Sequence, residues 1–280
     1  MVLALRGDFA LAHLLRAIAL ARSVFYYHCQ RLKADERYHS EKRLLTQLFH
    51  QHKGRYGYRR IRLALRRLGV WLNHKTVQRL MRELGLKSCV RPKRYKSYRG
   101  EVGRTAPNLL NRNFQATRPN EKWVTDVTEF TVHGQKVYLS PVIDLFNQEV
   151  VAYEVAKTAH LPLVTTMLKH AIKRLKPNEK PIVHSDQGWQ YQNAAVRKEL
   201  RQHGLIQSMS HKGNCLDNAV AENFFGLLKT EMYHGVKFDS ADELIRKLKD
   251  YITYYNTERI KVKLKGLTPV EFREQALLAG

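Results

Sequence analysis

Between residues 121 and 209, short apolar runs alternate with helix-like segments, and this alternation constrains the fold more than any other feature. Strands are predicted at 123–130, 137–143, 150–155, 181–184 and 205–209, with helices at 163–175 and 194–203. Three successive strands followed by alternating helices and strands are typical of a mixed sheet with helices packed on its faces. The sequence therefore predicts an α/β unit built on a mixed five-stranded sheet.

Three carboxylates occupy notable positions in this pattern. Asp126 lies within the first predicted strand, Asp186 directly follows the strand at 181–184, and Glu222 lies in a helical-looking segment at 219–231. A charge in an apolar strand is costly unless it is paired or bound to a metal, and Mg²⁺ prefers oxygen ligands. The three residues are thus candidate ligands of divalent cations. Each one alone could equally be a capping or surface acid, and Asp144 and Glu129, also near strands, remain alternative ligands.

The positive charge is concentrated at the front of the chain. The formal net charge is +24. Residues 1–104 contain 25 lysines and arginines against 6 acidic residues, a net charge of +19, whereas residues 105–280 contain 24 against 19, a net charge of +5. This asymmetry is typical of a nucleic-acid-binding module joined to a nearly balanced body. A merely solvated basic face would explain solubility but not the asymmetry.

Residues 41–84 predict three short helices, at 41–51, 58–68 and 74–84, with Asn73 as the N-cap of the third. This is the pattern of a helix-turn-helix domain, whose last helix enters the major groove of DNA. A three-helix bundle with ordinary surface charge is the alternative. The residues left facing outward on the third helix are His74, Lys75, Gln78, Arg79 and Arg82.

The segment at 91–120 predicts a basic linker. Arg91, Lys93 and Arg94 lie beside Pro92, and closely spaced like charges with proline disfavour a packed domain. Such an arm tracks a phosphate backbone or serves as a flexible tether. The predicted domains are an N-terminal helical segment at 1–38, a helix-turn-helix domain at 39–90, the linker at 91–120, a catalytic core at 121–235 and a helical C-terminal extension at 236–280. The N-terminal segment is either a partial helix-turn-helix or a small packing element.

The three cysteines are too far apart in sequence for a metal knuckle, and their odd number disfavours a disulfide framework. No apolar run approaches about 18 residues, so no membrane span is expected. These features predict a protein of the reducing cytoplasm.

Several motifs match one family closely. Thirty-five residues separate Asp186 from Glu222, and Lys229 follows Glu222 by seven. The flanking segments Trp123-Val124-Thr125-Asp126, His184-Ser185-Asp186-Gln187-Gly188 and Asn214-Cys215-Leu216-Asp217-Asn218 are also characteristic. With Tyr254-Tyr255-Asn256 near the end, the chain resembles, over about residues 10–278, the catalytic OrfB-type transposases of bacterial insertion sequences, which are related to retroviral integrases.

The resemblance implies an RNase H-like core, two Mg²⁺ or Mn²⁺ ions, and DNA cleavage followed by strand transfer. Asp126, Asp186 and Glu222 correspond to the metal-binding catalytic triad, and Lys229 and Asn218 are expected to contact DNA. The implied partners are double-stranded DNA at the element ends and the target, further copies of the chain, and a product of an upstream reading frame, in the bacterial cytoplasm at the nucleoid. His211 departs from the family pattern, which has arginine there.

Two other functions fit parts of the sequence. An RNase H-like nuclease would cut DNA without joining it, although a helix-turn-helix domain is not needed for that. A catalytically inactive DNA-binding repressor would bind without cutting, although all three carboxylates are present. A DNA-joining assay with Mg²⁺ separates the three hypotheses.

Overall fold

A computed structural model describes residues 2–36, 38–89, 105–211 and 215–278; within these ranges the side chains of residues 31–36, 215 and 216 are not described. The chain forms two compact units, Met1–Ser88 and Cys89–Gly280. In the described part, no helix combines the length and the apolar character needed to cross a membrane.

The first unit is helical. Its helices are α1 (Val2–Leu5), α2 (Leu11–Ala17), α3 (Arg22–Glu36), α4 (His39–Gln51), α5 (Tyr58–Arg67) and α6 (His74–Glu83). The three predicted helices are confirmed as α4, α5 and α6, and the Asn73 side chain caps α6 by accepting the backbone N–H of Lys75. Leu45, Ile61 and Leu80 are fully buried between these helices.

The second unit is built on a six-stranded sheet. Its strands are β1 (Lys122–Thr125), β2 (Thr128–Val132), β3 (Gln135–Asp144), β4 (Val150–Ala156), β5 (Ile182–Ser185) and β6 (Ile206–Met209). The helices that cover it are α7 (Leu161–Ile172), α8 (Trp189–Gln192), α9 (Ala194–Gln202), α10 (Ala219–Leu228), α11 (Ala241–Thr257) and α12 (Pro269–Leu278). The α/β class, with a helical region before the sheet and a helical segment after it, is confirmed.

The first predicted strand is interrupted at Asp126, so the described residues form six strand segments where five strands were predicted. Thr125 pairs with Val142, and Thr128 pairs with Leu139 in the same antiparallel register, so β1 and β2 are two parts of one strand along β3. That register places Pro141 opposite Asp126. Proline has no backbone N–H and cannot complete the ladder there. The chain leaves the sheet where Asp126 begins.

Parallel pairing brings two of the predicted functional residues together. β1 lies beside β5 in parallel, with Val124 opposite His184, and β5 lies beside β6 in parallel. The same register, continued by two residues, brings Asp126 level with Asp186 at the carboxyl ends of the two strands. Ligands and substrates of α/β sheets commonly bind outside the carboxyl ends of the strands.

Two apolar clusters cover the two faces of the sheet. One contains Val164 and Leu168 of α7 with Val196 and Leu200 of α9. The other contains Ala221, Phe224, Phe225 and Leu228 of α10 together with Leu244 and Leu248 of α11. The buried stripe of α10 leaves Glu222 on its exposed side, next to the end of β1 that carries Asp126.

Residues 105–120, the second part of the predicted linker, pack on the second unit. The backbone N–H of Leu109 donates to Ser208 Oγ, and Leu110 is buried in the apolar cluster under α10 and α11. The first part, residues 90–104, lies outside the described residues. The domain bounds themselves stay a prediction.

The stability of the first unit should depend on pH through His52. This buried imidazole is stacked on the Tyr56 ring, 3.8 Å between ring centroids, and burial, followed by the charges of Arg55 and Arg60, lowers its pKa from 6.5 to about 4. His52 is therefore neutral in the folded state and contributes stability above pH 6.5. That contribution, about 3 kcal/mol, is lost as the pH falls toward 4, because only the unfolded chain then binds the proton.

Calorimetric unfolding at pH 7 and pH 4.5 checks this expectation. His52→Gln should weaken the pH dependence of the melting temperature, whereas His50→Gln, at an exposed position two residues away, should leave it unchanged. Equal pH dependence in the His52→Gln variant and the parent would contradict the assignment.

Candidate active site and nucleic-acid interface

The centre of the candidate site is the pair Asp126 and Asp186. Each is half-buried and accepts one backbone N–H bond: Asp126 Oδ1 from Val127 at 2.7 Å and Asp186 Oδ1 from Gly188 at 2.9 Å. Among the described residues, the Oδ2 atom of each carboxylate has no hydrogen bond or salt bridge. Two adjacent carboxylates that each keep one oxygen available are a suitable donor set for a hard divalent cation.

The surroundings of Asp126 and Asp186 disfavour their charged forms. Burial raises the pKa of Asp126 well above its usual value, and the nearby charges of Asp186 and Glu222 raise it further, while Lys229 opposes them. Burial likewise raises the pKa of Asp186, opposed by the Gly188 N–H. Carboxylates that repel one another in a poorly solvated site favour protonation, unless a cation compensates the charge.

Glu222 is the third acidic residue whose charge acts on the candidate site. It is exposed on the first turn of α10, and its charge reaches Asp126. In the part of the chain that the structure describes, no three acidic, histidine or cysteine side chains are gathered closely enough to hold a metal ion.

Lys229 lies near Asp126. Its Nζ is 5.2 Å from the centre of the Phe130 ring, and its charge interacts with Glu129 and Asp126. Burial lowers the pKa of this lysine, and the two acids raise it. The ammonium is thus half-buried near Glu129 and Asp126, and its role at the candidate site stays a prediction.

Asn218 does not occupy the exposed position that a DNA contact needs. Its side chain is only 3% exposed, and its Nδ2 donates to the backbone carbonyl of Thr125 at 3.4 Å. Its buried Oδ1 has no hydrogen-bond partner among the residues that the structure describes. Asn218 ends the 3₁₀ helix Cys215–Asn218, and this turn points the amide toward β1 rather than toward solvent. Asn218 therefore contacts the last residue of β1, directly before Asp126.

The alternative ligands Asp144 and Glu129 have other partners. Asp144 is fully buried and accepts the backbone N–H groups of Asn120 and Phe146 and the guanidinium of Arg273, so it joins β3 to α12. Glu129 is exposed and pairs with Lys136 at 3.1 Å, which holds the pKa of that carboxyl below its usual value. The alternative that the sequence left open, Asp144 as a metal ligand, is disfavoured, because both of its oxygens already accept hydrogen bonds.

Comparison with known proteins decides the family. Models of the integrase core domain match residues 116–215 and 222–277, and a model of the HTH-like domain matches residues 36–95. The putative transposase InsK for insertion sequence element IS150 of Escherichia coli is 54% identical over 98% of this chain and 97% of its own length. The chain belongs to the insertion-sequence transposase family.

Other relatives extend this result. An uncharacterized transposase-like protein of Haemophilus influenzae is 53% identical over 74% of this chain and 95% of its own length. Transposase InsF for insertion sequence IS3A of Escherichia coli is 34% identical over 97% of this chain and 96% of its own length. Among solved structures, the catalytic core domain of HTLV-2 integrase in complex with magnesium covers 56% of this chain and 98% of that chain, with 17% identity and a TM-score of 0.46.

In this transposase, the outward side of α6 carries the predicted DNA-binding residues. His74, Lys75, Gln78 and Arg82 are exposed. Arg79 is partly buried, because its guanidinium pairs with Glu83 at 2.6 Å and lies over the Tyr38 ring. The predicted contacts Arg91, Lys93 and Arg94 lie outside the described residues. The outward side of α6 is therefore basic, although the Arg79 side chain, 43% exposed, is already paired with Glu83.

Three further residues, Tyr191, Trp71 and Gly188, lie near these sites, although no role was predicted for them from the sequence. The buried Tyr191 hydroxyl lies 3.1 Å from Thr125 Oγ1, and burial, followed by the charges of Asp126 and Asp186, raises its pKa.

Trp71, 73% exposed, lies just before α6, with the Arg66 guanidinium 4.9 Å from its ring centre. An apolar residue is normally assigned to the core, so only the fold could reveal that this indole is on the surface.

Gly188 is the third, and it has a measurable consequence. A Cβ added at this position would lie 3.0 Å from Asp186 Oδ1 and 3.0 Å from Gln190 Oε1, although its backbone φ of −58° accepts any residue. We expect Gly188→Ala to push the Asp186 carboxylate away and to slow joining of DNA ends in Mg²⁺ about tenfold or more, because small displacements in an active site are costly. The melting temperature should change little.

Gly7→Ala is the matched control, because a Cβ there would meet no atom within 4 Å. A Gly188→Ala enzyme that joins ends as fast as the parent would show that the orientation of Asp186 does not limit the reaction.

Proposed function

We propose that this transposase cleaves DNA at the ends of an insertion sequence and joins the new 3′ ends to target DNA at a metal-dependent site formed by Asp126, Asp186 and Glu222. The carrying observation is the parallel pairing of β1 with β5, which brings Asp126 level with Asp186. Family membership supports the reaction class, and the Asp-Asp-Glu arrangement supports the site.

The donor set fits divalent cations. Among the described residues, Asp126 and Asp186 each keep one oxygen without a hydrogen bond, and burial raises the pKa of both carboxyls, a cost that a bound cation would offset. Glu222 is the third proposed ligand, from the exposed face of α10. Two Mg²⁺ or Mn²⁺ ions, when bound, would supply activation of the attacking water or 3′-hydroxyl and stabilisation of the leaving oxygen.

The protein's own groups then orient the DNA. The Lys229 ammonium, beside Asp126 and over the Phe130 ring, is placed to meet a phosphate that enters the site. Asn218 and Tyr191 hold Thr125 from two directions and so fix the end of β1. In this assignment Asn218 is a positioning residue rather than a DNA contact.

The first unit is proposed to find the ends of the element. The exposed His74, Lys75, Gln78 and Arg82 of α6 are suited to the major groove of double-stranded DNA. Arg91, Lys93 and Arg94 are proposed to follow the phosphate backbone. Further proposed partners are other copies of this chain on the DNA and a product of an upstream reading frame. Since the substrate is the bacterial chromosome, we propose that the enzyme acts at the nucleoid.

Asp126→Asn, Asp186→Asn and Glu222→Gln should each abolish cleavage and joining while leaving DNA binding largely intact. Each change replaces a charged cation ligand by an amide of almost the same shape. Cleavage of a labelled element end and joining of a pre-cut end, both in Mg²⁺, measure the two steps. Asp250→Asn, at an exposed position on α11, is the control.

The same assay separates the alternative functions. A parent enzyme that cuts but never joins would favour an RNase H-like nuclease, and one that binds without cutting would favour a repressor. Strand transfer by any of the three variants would remove that residue from the site.

Lys75→Ala and Arg82→Ala should each weaken DNA binding and flatten its salt dependence. Each lost phosphate contact reduces the slope of log affinity against log salt concentration by about 0.9. Gln78→Ala should instead change sequence preference with little effect on the slope, because an amide reads base edges. Lys157→Ala removes one positive charge from the second unit and serves as the control. Fluorescence anisotropy of the full chain on labelled DNA, from low to moderate salt, gives these slopes, and equal slopes in all four variants would contradict the assignment.

A further inference from the structure

Lys229 stands at the start of an unusual helical turn. The α-helical geometry of α10 ends at Leu228, and Lys229–Tyr233 form a π-helical turn that the His234 N–H closes by donating to the Lys229 carbonyl at 2.7 Å. Turns of this kind are rare, and they occur frequently at functional sites. Because α-helical geometry is the more common one, contacts outside the backbone must favour this turn.

The first such contact is a buried ion pair. Arg259 donates from Nη2 to Glu231 Oε1 at 2.6 Å and from Nε to Glu231 Oε2 at 2.9 Å. The Tyr251 hydroxyl donates to Glu231 Oε2 at 2.9 Å. The side chains of Arg259 and Glu231 are only 1% and 5% exposed. The middle of the π-turn is therefore fastened to α11 and to the segment that follows it.

The second contact fastens the end of the turn to the sheet. The Tyr233 hydroxyl donates to the Thr131 carbonyl at 2.7 Å and accepts the Thr131 N–H at 3.1 Å. The Tyr233 ring packs edge-on against Phe130, 5.1 Å between centroids. Thr131 and Phe130 belong to β2, the strand that resumes directly after Asp126.

A buried ion pair is a weak source of stability, because the cost of removing both charges from water nearly cancels their attraction. Its two-bond geometry does, however, fix direction. What depends on that direction is Lys229, whose ammonium lies over Phe130 and interacts with Glu129 and Asp126. Without a fixed turn, a long lysine side chain would have many other conformations available in solvent.

We propose that Glu231 and Arg259 are positioning residues for the strand-transfer site, and that their buried ion pair holds the π-helical turn that keeps the Lys229 ammonium beside Asp126. The inference rests on the proposed function, in which Lys229 meets a DNA phosphate. Neither Glu231 nor Arg259 touches the reacting atoms; both act through Lys229.

The variant Glu231→Leu/Tyr251→Phe/Arg259→Met tests this arrangement. It removes all three polar groups together, so no buried charge is left alone, and apolar replacement of a buried pair is often neutral for stability. Joining of pre-cut ends should be about tenfold slower in this triple variant than in the parent. In a Lys229→Ala background, the same three changes should slow joining less than about twofold, because the group that they position is already absent.

A purely structural role gives a different result. Equal slowing in both backgrounds would overturn the inference, and so would an unchanged rate in the triple variant of the parent. If the triple variant does not fold, Arg259→Lys replaces it: this change keeps the charge and removes the two-bond geometry, and it should slow joining about threefold, again only when Lys229 is present.

A second readout does not depend on DNA. The rate at which acetic anhydride modifies Lys229, followed by mass spectrometry, should rise several-fold in the triple variant or in Arg259→Lys, while exposed Lys237 reacts at its parental rate. A parent that joins no DNA would remove the proposed function and leave this measurement valid. An unchanged rate at Lys229 in an active enzyme would overturn the positioning role alone.

Discussion

The parallel pairing of β1 with β5 is the interaction on which the candidate site depends. It brings Asp126 and Asp186 to one edge of the sheet at the same height, although 59 residues separate them in the sequence. Backbone hydrogen bonds set this register, and the apolar clusters on both faces hold the strands in it. Pro141, opposite Asp126, interrupts the ladder beside the carboxylate, and pairing resumes at Thr128. The sheet therefore places both carboxylates at the same edge, where each is half-buried.

Placing acidic groups this close has an electrostatic cost. Burial raises the pKa values of Asp126 and Asp186, and the charges of Asp186 and Glu222 raise that of Asp126 further, while Lys229 opposes the charge on Asp126. A site of this kind favours positively charged ligands and disfavours an anion such as DNA until that charge is compensated. Two neighbouring features act on these charges. Gly188 leaves space for the Asp186 carboxylate and donates a backbone N–H to it, and the π-helical turn after α10 carries Lys229.

Much of this could be predicted from the sequence, and the failures have physical causes. Apolar periodicity located the helices of the first unit and most strands of the second, because burial imposes the spacing directly. The interruption of the first strand was missed, since it comes from Pro141 on a partner strand. Asp144 resembled a ligand until Arg273, 129 residues away, was seen to pair with it. Asn218 was expected to contact DNA, but its amide donates to the Thr125 carbonyl inside the protein.

The sequence by itself determined the family, the α/β class and the identity of the three candidate carboxylates, because these follow from residue types and their spacing along one chain. Only the tertiary structure decided which acids are engaged elsewhere, which oxygens stay available and how Lys229 is held. Those features depend on contacts between residues far apart in the chain, such as Arg259 with Glu231 or Tyr233 with Thr131. Spacing along a chain fixes helix faces and strand edges, whereas the pairing of buried charges is settled only when the elements pack together.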